Sequence, residues 1–371
     1  MFRLFFVVVL TASSLQAQDK ITSPPASLKV SRFYRKYINA NGFPIVSSAK
    51  VNDYALREAA YLVNLMLGHR ADLRKEMIRN GSRLVVMAWN EMTTDIPEHA
   101  DLRPKDYWDR RARGLGGSRR IAACSVGEEN LLSYPGDPYR GESILIHEFA
   151  HSIHLRGMNR IDRTFDARLK QAYDLAIRRG LWRKTYASTN HKEYWAEGVQ
   201  SWFDTNLSNN NKHNDVSTRE KLVKYDPALA KICREVFGEK SKRYSKPLTR
   251  LVKHLRGYDP KAAPTFRWAK GLKRFDEYAR LKWNVGKAPK SKVGRTSSWI
   301  LFQNMTRQRL RFHWISYSGE RKFYGNLPVG GMQPQRTYAG SAWLITDEKN
   351  NPLGYFIAKA GSARAVVPRK E

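Results

Sequence analysis

The spacing of apolar positions changes repeatedly along the first 240 residues. From Asn52 onward, Leu56, Ala59, Ala60, Val63, Met66 and Leu67 recur every three or four residues, which predicts a helix with one buried face. Arg83-Leu-Val-Val-Met-Ala-Trp89 is a short, almost continuous apolar run and predicts a strand. Arg120-Ile-Ala-Ala-Cys-Ser125 predicts another, with a polar loop over 90–99 and the turn-rich Arg113-Gly-Leu-Gly-Gly-Ser118 between them. Helical spacing returns over residues 142–155, where Leu145, Ile146, Phe149 and Ile153 share one side. A further helix from Asn190 buries Trp195, Val199, Trp202 and Phe203. The last helix of this region is delimited by an Asp226 cap, Pro227 at its first position and Gly238 at its stop, with Leu229, Ile232, Cys233 and Val236 facing inward. These elements predict an α+β domain, a small mixed sheet plus helices, over residues 18–240, with 18–30 a flexible lead-in.

The texture then changes twice. Over residues 241–297 lysine and arginine dominate, prolines fall at 247, 260, 264 and 289, and acids are sparse, so this stretch reads as a basic linker. From Ser298 the alternation is that of strands: Trp299-Ile-Leu-Phe-Gln-Asn304, then Leu310, Phe312 and Trp314, then Ala342-Trp-Leu-Ile-Thr346 and Leu353-Gly-Tyr-Phe-Ile357. Closely spaced turns between them predict a small all-β sandwich over 298–371.

Composition adds three points. With 42% hydrophobic residues, including 10 Trp, 18 Tyr and 15 Phe, the chain can fill packed cores. Its net charge of +32 fits either a merely solvated basic surface or anionic partners, an anionic surface polymer gathered by the basic stretch among them. Nucleic acid is disfavoured, because no finger or RNA-recognition signature accompanies the charge. Residues 1–17, MFRLFFVVVLTASSLQA, have a basic start, a short apolar run and small residues, as in a secretory signal peptide. No later stretch offers the roughly 18 apolar residues of a membrane span. The expected product is exported, periplasmic or extracellular, where Cys124 and Cys233 have the option of pairing.

The chemistry centres on His147-Glu148-Phe149-Ala150-His151. Two histidines four apart on a helix project about 40° from each other and can share one metal ion. Glu148, about 100° round from His147, reaches a metal-bound water rather than the metal, which is the H-E-x-x-H zinc arrangement. The strand just ahead of this helix offers an edge on which an extended peptide could lie. Metalloproteases with a third histidine carry Gly and then His downstream; here His154 precedes Gly157, so His154 falls to a supporting or rim position. The third ligand is sought in Tyr186-Ala-Ser-Thr-Asn-His-Lys-Glu-Tyr-Trp-Ala-Glu-Gly-Val-Gln-Ser-Trp-Phe203. Glu193 and Glu197 share the face opposite the apolar one, and helical geometry leaves the choice between them open; Asn190 to Glu193 is also a capping-box spacing.

His147-Glu-Phe-Ala-His151 together with Tyr186, Glu193, Tyr194-Trp195 and Ala196-Glu197 resembles the catalytic domain of the anthrax lethal factor family of gluzincin metallopeptidases. That resemblance implies a zincin-like fold, one catalytic zinc held by His147, His151 and Glu193, Tyr186 as catalytic hydroxyl, and Glu197 as a carboxylate orienting a ligand imidazole. The expected activity is hydrolysis of a protein or peptide substrate, with Glu148 as general base. The alternative is an exported binding protein with a structural zinc.

The C-terminal stretches Tyr324-Gly-Asn-Leu-Pro-Val-Gly330 and Thr337-Tyr-Ala-Gly-Ser-Ala-Trp-Leu-Ile-Thr-Asp347 resemble the von Hippel-Lindau β-domain over about 297–360. In that family a hydroxyproline peptide lies in a groove lined by a tyrosine, a serine, a histidine and a tryptophan. Tyr324 and Trp343 match, Thr337 replaces the serine, and Ser341 stands where the histidine belongs, which removes an imidazole from the groove. The resemblance implies a module for an extended, proline-containing peptide.

Overall fold

The computed structural model describes residues 20–369. Residues 1–17, expected from the sequence to be a signal peptide, lie outside them. The described chain forms two compact units: residues 20–100 with 113–267, and residues 101–112 with 268–369.

The first unit is built on a mixed sheet of β1 (Lys36–Ala40), β2 (Phe43–Ser47), β3 (Arg83–Met87), β4 (Gly114–Leu115) and β5 (Ala123–Gly127), in the order β1-β2-β3-β5-β4. β2, β3 and β5 are parallel; β1 and β4 run antiparallel at the edges. β2 and β5 are buried at every position, because both sheet faces are covered. One face carries α1 (Asp53–Leu67), capped by Asn52 as its spacing requires, with α2 (Ala71–Arg79) beyond it. Over the same core lie α3 (Ile144–Ser152), α4 (Phe165–Arg178), α5 (His191–Trp202), α6 (Arg219–Tyr225) and α7 (Pro227–Phe237).

The opposite face is closed by the N-terminal segment. Leu28, Val30 and Phe33 pack on Val46, Val85 and Met87, and Thr22 bridges to Tyr37. Residues 20–30 are therefore attached structure, where a flexible lead-in was expected.

The basic stretch 241–297 is not a linker. Its first part belongs to the first unit: Leu255 is fully buried in the core and Tyr258 nearly so. Buried Glu58 on α1 anchors this part, receiving Arg250 at 2.7 Å and His254 at 2.7 Å. Its second part belongs to the other unit, where Leu281 enters the core. High lysine and arginine content hid these few anchoring residues among many solvated ones. The disulfide that an exported protein could form is also absent. Cys124 in β5 and Cys233 in α7 are both free and buried, and burial pushes both thiols up.

The second unit is a sandwich of two four-stranded sheets. One has the order β10-β7-β13-β6, from β6 (Ala279–Arg280), β7 (Ser297–Asn304), β10 (Met332–Tyr338) and β13 (Gly361–Val367). The other has the order β12-β11-β8-β9, from β8 (Leu310–Ile315), β9 (Arg321–Leu327), β11 (Ala342–Thr346) and β12 (Pro352–Ile357). Ile300, Phe302, Phe312, Trp343, Ile345 and Phe356 form its core. The unit also takes in the short helix Lys105–Arg111, whose Tyr107 clusters with Tyr278 and Leu301.

Candidate functional site

α3 begins at Ser143, whose hydroxyl accepts from the N–H of Ile146. Leu145, Ile146, Phe149 and Ala150 bury its inner side, and Phe149 meets Phe43 edge to face. His147, Glu148 and His151 remain on the outer side, with Glu148 and His151 half-buried. α3 then widens into a π-helical turn, Ile153–Met158, a feature frequent near functional sites.

α5 crosses α3 and is fixed to it by the Trp195 indole, which donates to the Ala150 carbonyl at 2.8 Å. Asn190 caps α5, its side chain accepting from the N–H groups of Lys192 and Glu193. The Glu193 carboxylate does not fold back to close a capping box. It points to α3, with Oε2 3.2 Å from Nε2 of His147 and 3.3 Å from Nε2 of His151. Donor atoms of these three residues all lie within 4.8 Å of one another. Two ligands bound 2.0–2.1 Å from a tetrahedral zinc are about 3.3–3.4 Å apart, so the spacing fits such a cation.

Glu193 pairs with both imidazoles. Burial alone would lower the His147 imidazole, but its hydrogen bond to Glu193 and the charges of Glu148, Glu193 and Glu197 outweigh it and hold the pKa up at about 10. Burial likewise works against the Glu193 carboxylate, and His151 and His147 overcome it, leaving Glu193 well below the usual range.

Glu197 stands elsewhere. It is buried behind His147, with Oε1 3.7 Å from Nδ1 of that ring and Oε2 accepting from Asn206 at 3.1 Å. The nearer partner of His147 Nδ1 is Gln200 Oε1, at 2.8 Å. The Gln200 amide nitrogen donates in turn to Glu142 at 3.0 Å, which orients its oxygen toward the ring. Gln200 thus accepts the Nδ1 proton, so that loss of the other proton, at Nε2, exposes a lone pair toward Glu193. Sequence reading missed this residue, although it falls seven positions after Glu193, on the same face of α5. His154 is not part of the cluster; it is buried and donates from Nε2 to Asp166 at 2.7 Å.

Tyr186 begins a short 3₁₀ turn, and its backbone N–H is anchored by the Lys212 carbonyl at 2.7 Å. Its ring lies 6.1 Å from that of His147 between centroids, which brings the phenol beside the cluster. The edge next to α3 is β4, not the longer strand β5 expected there. β5 is flanked on both sides, whereas β4 pairs only with β5. Glycines allow this edge to approach α3 closely. A Cβ on Gly116 would stand 2.6 Å from that of His151, and one on Gly114 would stand 2.6 Å from Ile144.

In the sandwich, Trp343 and Tyr324 differ sharply. Trp343 is 1% exposed, and its indole donates to the Thr337 hydroxyl at 3.0 Å. Tyr324 is 49% exposed and stands edge-on over Trp343, centroids 4.9 Å apart. Ser341 is buried beneath the turn leading into β11.

Residues 290–355 match the family model of the VHL beta domain. That domain is a protein-binding domain. The match takes in the strands from β7 to β11, most of β12, and Tyr324, Thr337, Ser341 and Trp343. No curated protein matches the chain. Among the described residues, no helix is long and apolar enough to cross a membrane.

Proposed function

We propose that the chain is an exported, zinc-dependent metalloendopeptidase of the gluzincin kind, similar to the lethal factor catalytic domain, with a VHL-like module that engages an extended peptide. The observation that carries this reading is the approach of one Glu193 oxygen to within 3.2 and 3.3 Å of the two histidine nitrogens. His147, His151 and Glu193 would hold the zinc, which supplies Lewis acidity toward a peptide carbonyl and a more acidic water. Glu148, projecting from the same face of α3, accepts a proton from water and later delivers it to the departing amine. Tyr186 donates a hydrogen bond to the developing oxyanion. Gln200, with Glu197 behind it, fixes the His147 ring in the tautomer that leaves Nε2 available.

A structural zinc is closed by four protein ligands, whereas three donors meet here with a half-buried acid and a phenol beside them. That favours catalysis over the alternative of a non-catalytic binding protein. Tyr324 supplies the exposed aromatic surface for a proline-containing segment, while Trp343 and Thr337 satisfy each other beneath it. The test is Glu148→Gln in zinc-loaded protein. Loss of peptide cleavage with metal content unchanged supports the reading, and undiminished cleavage defeats it.

A further inference from the structure

A second group of ligand-type side chains lies apart from the first, and nothing above gives it a role. His154 comes from the π-helical turn, Asp166 from the first turn of α4, and His191 from the first turn of α5. Oδ1 of Asp166 is 2.7 Å from Nε2 of His154 and 3.2 Å from Nε2 of His191, and one donor atom from each residue lies within 4.8 Å of the others. His154 is fully buried against Phe165, and its Nδ1 has no hydrogen-bond partner. Asp166 and His191 are only partly buried, so water and ions can reach the open side of the group.

The donor set selects the ligand. Two imidazoles and one carboxylate suit a divalent cation of zinc-like softness; calcium and magnesium take more oxygen donors. The His191–Asp166 spacing already matches the edge of a tetrahedral site, about 3.3 Å, and the His154–Asp166 contact must open by about half an ångström. Coordination through Nε2 of His154 requires its proton to sit on Nδ1. Because Nδ1 is unpartnered in either tautomer, that shift gives up only the bond to Asp166, which the cation replaces.

We propose that His154, Asp166 and His191 form a second divalent-cation site, which ties the starts of α4 and α5 to the end of the metal-motif helix. It rests on its own three residues and does not depend on the first cluster being catalytic.

The test is metal titration of the full chain, stripped with chelator and reloaded with Zn²⁺ or ¹¹³Cd²⁺, followed by calorimetry, metal analysis and ¹¹³Cd resonances. The expected result is two equivalents and two cadmium signals for the unmodified chain. Asp166→Ala should lose one equivalent and keep the other, and His147→Ala should show the converse. The retained equivalent, with an unchanged circular dichroism spectrum, reports that each variant is folded; His191→Asn replaces Asp166→Ala should the latter fail to fold. A single equivalent, lost in His147→Ala and kept in Asp166→Ala and His191→Asn, overturns the second site and leaves the first standing. A single equivalent with the opposite pattern keeps the second site and removes the first. No binding at all overturns both.

Discussion

His147 is engaged at both nitrogens, by Glu193 at Nε2 and by Gln200 at Nδ1. In the proposed zinc site the second contact would make Gln200 a positioning residue. Gln200→Leu is expected to weaken zinc binding about 10–100-fold, measured by competition with a chromogenic chelator, and an unchanged affinity would remove that role. Tyr186→Phe is expected to lower kcat about 10²–10³-fold with little change in KM; steady-state kinetics on any cleaved peptide checks this. The raised pKa of His147 sets a pH dependence. The metal-free ring is protonated below about pH 10, so binding must displace a proton and affinity must rise with pH. Apparent zinc affinity should increase about tenfold per unit between pH 6 and 8, and a flat profile would contradict the ion pair. Glu193 and Glu197 show what residue types leave undecided. Both sit on one helical face, and only the crossing of α5 over α3, fixed by Trp195 and Ala150, sends one carboxylate to Nε2 and leaves the other behind the ring. Periodicity alone leaves the two undivided.

At the scale of elements, the helices with strong periodicity and good caps were legible. α1 starts beside its Asn52 cap, and α7 runs from Pro227 to Phe237, ahead of Gly238. β4 was not legible, because two residues among glycines carry no alternation; it exists because β5 offers it a pairing edge and the glycines offer it room. Gly116→Ala should therefore push His151 out of place, costing about 1–3 kcal/mol of stability and lowering zinc affinity in parallel. A variant with wild-type melting and wild-type affinity would show that the close approach is not needed. Residues 241–267 were misread for a different reason: their contribution lies in a few contacts, with Glu58 taking both Arg250 and His254. Removing one partner of a buried ion pair commonly costs about 3–5 kcal/mol. Glu58→Ala should thus lower the melting temperature and open this stretch to limited proteolysis.

On the scale of the whole molecule, the sandwich was legible from Ser298 onward through its alternating strands, but its full extent was not. β6 and the helix Lys105–Arg111 come from stretches with no strand or sandwich signature of their own. A fragment of 298–371 alone lacks Leu281, Tyr278 and Tyr107, all buried in this unit, and should melt well below the same unit inside the full chain. As proposed, the first unit cleaves peptides through a metal held by His147, His151 and Glu193. The most direct test is metal analysis joined to cleavage of an unbiased peptide library by the full chain and by Glu148→Gln. Bound zinc is expected in both proteins, with chelator-sensitive cleavage by the unmodified chain alone. A zinc-loaded chain that cleaves nothing, or a Glu148→Gln variant that cleaves equally well, would contradict the proposal.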